Sequence, residues 1–180
     1  MSILERFRVE GQVAVVTGGG RGIGEAIALG LAEAGADVVV AARRTAEVEA
    51  VADKVRALGR RALAVTCDVM DMAQIQALAA QARDELGGLT CWVSNAGGAD
   101  DRVARTLLEM PERQWDLQMD LNLKAGWSGA QAAAEIMKDS GGGTIINISS
   151  QAANKASPFN GPYAGAKSGV NNLTQTMASD

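Results

Sequence analysis

Histidine is missing from the 180 residues altogether. Its absence removes the Ser-His-Asp triad, the Cys-His dyad, the HExxH zinc site and the two-histidine iron site together. Cysteine is nearly as scarce. Cys67 and Cys91 are the only two, 24 positions apart. They cannot build a four-cysteine zinc cage, and no metal site is expected. Each lies in or beside an apolar run, which reads as a free buried thiol in a reducing compartment and points to the cytoplasm. An excess of positive charge is lacking too. Seventeen Lys and Arg face 21 Asp and Glu, for a net charge of −4. Nucleic acid and membrane surface are therefore not expected partners. No long unbroken apolar run exists either. The most apolar stretch, residues 23–42, is cut by Glu25, Glu33 and Asp37, so it cannot sit in lipid. Residues 1–8 carry charges where a signal peptide needs an apolar stretch. Any catalysis has to come from Ser, Tyr, Lys, Asp, Glu or Asn, or from a bound cofactor.

With 47% hydrophobic and 21% charged residues, the composition is that of a globular domain. The length fits one domain over residues 1–180. Short β-branched runs at 13–17, 37–42, 61–66, 90–94 and 144–148 read as strands. Helical periodicity lies between them. Ile23, Ile27, Leu31 and Ala34 share one face of a first helix, ended by Gly35. Val48, Val51, Ala52 and Val55 mark a second over 45–58, ended by Gly59. Asp71 with Gln74 forms a capping-box-like start to a third, with Ile75, Leu78, Ala79, Ala82 and Leu86 in register. Pro111 reads as the first residue of a helix to 120, followed by a longer helix over about 122–138. A last helix starts near Gly161. Strands alternating with helices predict an α/β fold, a doubly wound parallel sheet with helices on both faces.

Thr17-Gly-Gly-Gly-Arg-Gly-Ile-Gly24 stands between the first strand and the first helix. Glycines there let the backbone turn tightly and approach a pyrophosphate, and the helix N-terminus supplies unpaired N–H groups and partial positive charge. In that context the turn reads as a dinucleotide site formed by Gly18, Gly20, Arg21, Gly22, Ile23 and Gly24. A P-loop is excluded, because no Gly-Lys-Ser/Thr stands at the required spacing. An acid at the end of the second strand, about 20 positions beyond the glycines, would hold the 2′-hydroxyl of NAD. The strand ends instead in Ala41-Ala42-Arg43-Arg44. Two arginines before a helix N-terminus are locally unfavourable, and a 2′-phosphate would offset that through charge-assisted hydrogen bonds. NADP(H) is therefore expected over NAD(H), with Arg21 assisting Arg43 and Arg44.

Ser150, Tyr163 and Lys167 form a second constellation. Tyr163 and Lys167 are four apart on a predicted helix and share one face. Ser150 lies just past the fifth strand, and carboxyl ends of strands are where ligands bind in such sheets. These groups suit ketone reduction. A hydride arriving on a carbonyl carbon leaves an alkoxide that needs a proton. A free phenol, pKa about 10, gives that proton readily but is a poor base near neutral pH, and a nearby ammonium favours its phenolate. At an effective dielectric of about 20, two unit charges roughly 4 Å apart interact by about 4 kcal/mol. A Ser hydroxyl can donate to the carbonyl oxygen as charge develops.

With these motifs, residues 11–180 resemble the short-chain dehydrogenase/reductase family. Three further segments carry the likeness: Cys67-Asp68-Val69, Ser94-Asn95-Ala96-Gly97 and Asp120-Leu-Asn122-Leu. The spacing from Ser150 to Tyr163 and Lys167 is also the family's, and it selects Ser150 over Ser149. The resemblance implies a Rossmann-type fold in which Asp68 and Val69 meet the adenine, and Asn95, Ala96 and Gly97 line the cofactor. It implies that Tyr163 is the acid/base and that Tyr163 and Lys167 also border the cofactor, Lys167 holding its ribose. Asn122 would bind a water linking Lys167 to solvent. The implied activity is interconversion of a small-molecule ketone and secondary alcohol by a homodimer or homotetramer. Family members continue into a sixth strand, a substrate-covering loop and a seventh strand. This chain stops at Asp180, so those final strands and most of the lid are expected to be absent from it. An NAD-dependent hydroxysteroid-type dehydrogenase, a ketoacyl-carrier-protein reductase, an isomerase or dehydratase on the same scaffold, and a cofactor-binding regulatory scaffold remain open alternatives. Arg102 and Arg105 stand where an acidic substrate or carrier could meet them.

Overall fold

The structure, a computed structural model, describes residues 2–99 and 105–179. Five strands, β1 Val13–Thr17, β2 Asp37–Ala42, β3 Ala62–Thr66, β4 Cys91–Ser94 and β5 Thr144–Asn147, form one parallel sheet in the order β3-β2-β1-β4-β5. Register follows from the apolar runs. Leu63, Val39, Val15, Trp92 and Ile145 make one transverse row across all five strands. This row faces α3, Met72–Leu86, and α5, Ala125–Met137. The alternate row, with Val40, Val16 and Val93, faces α1, Gly22–Glu33, and α2, Thr45–Ala57. Strands buried on both faces need continuous apolar runs, which β1 and β2 supply. The predicted doubly wound sheet is thus the observed one.

The buried faces of α2 and α3 are those read from the sequence: Val48, Val51, Ala52 and Val55, then Ile75, Leu78, Ala79, Ala82 and Leu86. Removing the wholly buried Leu78 side chain to Ala would cost roughly 2–5 kcal/mol. Asp71 caps α3 by accepting the Ala73 and Gln74 N–H groups. The Gln74 side chain does not return to the Asp71 N–H as in a capping box; its Oε1 accepts from Asp68 N at 2.9 Å.

Three expectations are corrected. The buried face of α1 is Gly24, Ala28 and Ala32, while Ile23 is 68% exposed and Ile27 and Leu31 only half-buried. Small side chains let this helix approach the sheet closely, and the larger ones splay to its flanks. Pro111 is the N-cap residue of α4, Glu112–Met119, rather than its first residue. The stretch beyond is not two helices. A π turn, Asp120–Lys124, joins α4 to α5 without a break. The last helix, α6, Gly161–Met177, packs on α4 and on this π turn.

β1 leads to β2 and β3 on one side, and the chain then crosses to β4 and β5 on the other. The carboxyl ends of β1 and β4 flank that reversal, the place where such sheets bind ligands. At the opposite edge Asp37 ties β2 to β3, accepting the Arg61 backbone N–H and the Arg61 guanidinium, both at 2.8 Å. Burial alone would push the Asp37 carboxyl up. The Arg61 hydrogen bonds and the Arg61 and Arg60 charges outweigh that and hold it below the usual carboxylate range.

Candidate active site

The glycine turn leaves β1 at Thr17. Gly18 and Gly22 take left-handed backbone, φ 65° and 57°, which a β-carbon disfavours. Gly24 is required for another reason: a Cβ there would strike the Gly18 carbonyl and lie 2.5 Å from Asn95 Nδ2. Asn95 holds the turn from β4, its Nδ2 donating to the Thr17 carbonyl at 2.9 Å and the Gly18 carbonyl at 3.2 Å. The buried Thr17 hydroxyl donates to Val93 O and accepts the N–H groups of Asn95 and Ala96. The ends of β1 and β4 are latched together at the sheet reversal. Arg21, the α1 N-cap, provides no side-chain cap, so the first N–H groups of α1 remain available to an anion.

A cleft of about 1000 Å³ opens over this turn. Every residue the sequence assigned to the cofactor lines it, from Gly18 to Gly24, through Arg43, Arg44, Asp68 and Val69, to Asn95, Ala96, Gly97, Tyr163 and Lys167. Arg43 is exposed and, among the described residues, makes no ion pair. Arg44 pairs with Glu47 at 2.8 Å, and Glu47 itself lines the cleft. The sequence reading missed Glu47 because it looked for an acid at the end of β2, whereas this one sits in the first turn of α2. Cys67 also faces the cleft; burial, then the charges of Asp68 and Asp71, push its thiol up to about 11, so it stays protonated. Cys91 is half-buried and also free.

Tyr163 and Lys167 share one face of α6, as their spacing predicted, with Nζ 5.9 Å from the ring centroid. Lys167 is 5% exposed and donates to the Ile148 carbonyl at 2.7 Å. Burial lowers its ammonium pKa from 10.5. The two serines differ. Ser149 lines the cleft, and its hydroxyl donates to the Lys167 carbonyl at 3.3 Å. Ser150 lies beside that lining and accepts the Ala152 N–H at 3.2 Å. Its hydroxyl proton therefore has no acceptor among the described residues.

Asn122 stands in the π turn, 3% exposed. Its Oδ1 accepts the Gly98 N–H at 2.8 Å, and its Nδ2 reaches the Gly98 carbonyl and both oxygens of Gln118. Asn122 thus clamps the loop after β4. A Cβ on Gly97 would lie 2.7 Å from Asn122 Oδ1 and 3.5 Å from Lys167 Nζ, so the two flank one glycine. Gln118, buried beside Asn122, gave no signal in the sequence because it falls on the polar pattern of α4. Arg102 lies outside the described residues.

A family model for short chain dehydrogenases matches residues 12–180. The chain belongs to that family. It is 40% identical over 179 residues to an uncharacterised oxidoreductase of Mycobacterium tuberculosis, covering 99% of this chain and 67% of the relative. It is equally identical to a 2-dehydro-3-deoxy-D-gluconate 5-dehydrogenase of Escherichia coli, covering 99% and 69%. Among solved structures, a 7α-hydroxysteroid dehydrogenase bound to NADH and 7-oxo glycochenodeoxycholic acid superposes with TM-score 0.93 at 33% identity, covering all of this chain and 69% of that one. The protein is therefore a short-chain oxidoreductase acting on CH–OH groups with NAD(P) as acceptor, and the regulatory-scaffold alternative falls away. The turn, the uncapped α1 terminus and the glycine-walled cleft fit a dinucleotide. No helix among the described residues is long and apolar enough to cross a membrane.

Proposed function

We propose that the protein is an NADP(H)-dependent oxidoreductase interconverting a ketone and a secondary alcohol by hydride transfer, with Tyr163 as the acid/base. The observation that carries this reading is the pairing of Tyr163 with a buried Lys167 at the cleft over the glycine turn. The bound nicotinamide supplies or takes the hydride. Tyr163 gives its phenolic proton to the substrate oxygen in reduction and takes it back in oxidation. Lys167 is buried, which lowers its ammonium pKa, and its Nζ stands 5.9 Å from the Tyr163 ring centroid, beside the phenol that handles the proton. It also faces the cleft, where it would hold a ribose. Ser150, with an uncommitted hydroxyl proton, donates to the substrate oxygen as charge develops there. Asn122, flanking Gly97 with Lys167, is suited to hold a water that returns protons to the lysine. Named relatives that dehydrogenate a sugar acid and a steroid support a secondary alcohol as substrate.

Arg43 and Arg44 at the end of β2 support NADP(H). The second reading, NAD(H), is favoured by the steroid dehydrogenase solved with NADH and a carveol dehydrogenase of Mycobacterium avium solved with NAD. The exposed Leu108, Trp115 and Trp127 around α4 and α5 support a homodimer or homotetramer, and the two free thiols support a cytoplasmic setting.

The test is turnover of a panel of ketones with NADPH. Tyr163→Phe is expected to lower kcat by at least about 100-fold. Ser150→Ala should lower it by roughly tenfold or more, and Ser149→Ala much less. An unimpaired Tyr163→Phe enzyme would refute the mechanism.

A further inference from the structure

The β2 end of the cleft is lined by three arginines, Arg21, Arg43 and Arg44, and two carboxylates, Glu47 and Asp68. The arginines are not equivalent. Arg43 makes no ion pair among the described residues, while Arg44 Nη2 lies 2.8 Å from Glu47 Oε1. Glu47 does more than neutralise a neighbour. Its stem packs on the glycine turn: a Cβ on Gly20 would lie 3.0 Å from Glu47 Cβ and 3.5 Å from Oε2. The carboxylate is thus held at the turn, with its side chain 31% exposed. A bare surface pair three residues apart is worth little to stability, and an acid in the first turn of α2 is only mildly favourable. Its position between Arg44 and Gly20 has a different consequence, because any phosphate reaching for Arg44 must displace or face this carboxylate.

We propose that Glu47 sets the ratio of NADP(H) to NAD(H) use, by engaging Arg44 and placing negative charge beside the glycine turn, so that Arg43 alone carries the preference for a 2′-phosphate. This rests on the NADP(H) reading above and deepens it. Glu47 disfavours a phosphate-bearing ribose more than a plain one, which keeps NAD(H) within reach of the same cleft. Arg44 is a reserve cation, released only when Glu47 is neutralised. Arg44 and Glu47 are therefore coupled, and their substitutions are non-additive.

The experiment measures dissociation constants of 2′,5′-ADP and 5′-AMP by calorimetry on the full chain, so no turnover is needed. The wild type is compared with Glu47→Gln, Arg44→Gln, the Glu47→Gln/Arg44→Gln double variant and Arg43→Gln, with Glu47→Ala as a second neutral variant should the first fold poorly. Glu47→Gln is expected to raise the preference for 2′,5′-ADP over 5′-AMP by about fivefold, the upper range for an exposed pair. Arg44→Gln alone should move that preference by less than about twofold, and the double variant should return it to the wild-type value. Raising the salt to about 0.5 M should shrink the gain. An unchanged preference in both neutral Glu47 variants, an equal gain for both nucleotides, or a double variant that keeps the gain would each overturn the proposal. Failure of the underlying NADP(H) reading shows differently: the wild type would bind 5′-AMP at least as tightly, and Arg43→Gln would change nothing.

Discussion

Three glycines of α1 and its turn meet three different fates on substitution by alanine. Gly24 is closed to a Cβ by the Gly18 carbonyl and by Asn95 Nδ2 at 2.5 Å, both parts of the latched turn that cannot give way cheaply. Overpacking of that kind costs about 1–3 kcal/mol, and at about 2–4 °C per kcal/mol for a chain of this size Tm should fall by roughly 2–12 °C. The helix start must also shift away from Gly18, so affinity for NADPH should drop at least about tenfold. Gly22 has nothing within 4 Å of the same atom, but its φ is 57°. Alanine there costs only the left-handed strain, about 1 kcal/mol. Gly30 is exposed in mid-helix with open space and ordinary backbone, so alanine should stabilise by about 0.5–1 kcal/mol. Thermal unfolding followed by far-UV circular dichroism, with NADPH binding by fluorescence, reads all three. Equal Tm shifts for Gly24→Ala and Gly30→Ala would refute the packing argument, as would a Gly24→Ala protein with normal affinity.

Thr17→Val keeps the shape of the β1 end but leaves the Ala96 N–H without its acceptor and the Asn95 N–H with the Val93 carbonyl alone. It should cost roughly 2 kcal/mol by urea unfolding and weaken NADPH binding, whereas a change below about 0.5 kcal/mol would show the latch to be unimportant. Asp37 titrates lower in the folded than in the unfolded chain. Its stabilisation is therefore complete above the unfolded carboxylate pKa, near 4, and lost as pH falls through the depressed folded value. Urea midpoints measured from about pH 6 down to pH 3 should fall steeply in the wild type and less steeply in Asp37→Asn, which should also be roughly 2–3 kcal/mol weaker at neutral pH. Equal slopes in the two proteins would refute the assignment.

Much of this architecture can be read along the chain. The β-branched runs of β1 and β2, the valines of α2 and the Ile/Leu register of α3 carry their own burial, because large apolar groups at a fixed period have one face to hide. The α1 helix broke that rule. Gly24, Ala28 and Ala32 have almost no hydropathy to signal with, and they are buried because they are small enough for close approach to the sheet. The join of α4 to α5 was also hidden, since a π turn differs from a helix break only in which carbonyl each N–H finds. The glycine turn was visible because a tight turn between a strand and a helix requires glycine, and the residues the sequence assigned to the cofactor all line one cleft.

The amino-acid sequence by itself determined the order of elements, the turn that only glycines can make, and the one-turn spacing that sets a phenol beside an ammonium. Those are local properties, settled by covalent geometry and helical periodicity. Only tertiary structure decided that Glu47 bears on Arg44 and Gly20, that Asn122 clamps Gly98, and that the Ser150 hydroxyl keeps its proton free while that of Ser149 does not. The Arg44 pair and the Ser150 turn are local. The contacts of Glu47 with Gly20, Asn122 with Gly98 and Ser149 with Lys167 join segments remote along the chain, brought together by how closely α1 lies on the sheet and how the crossovers place the strand ends.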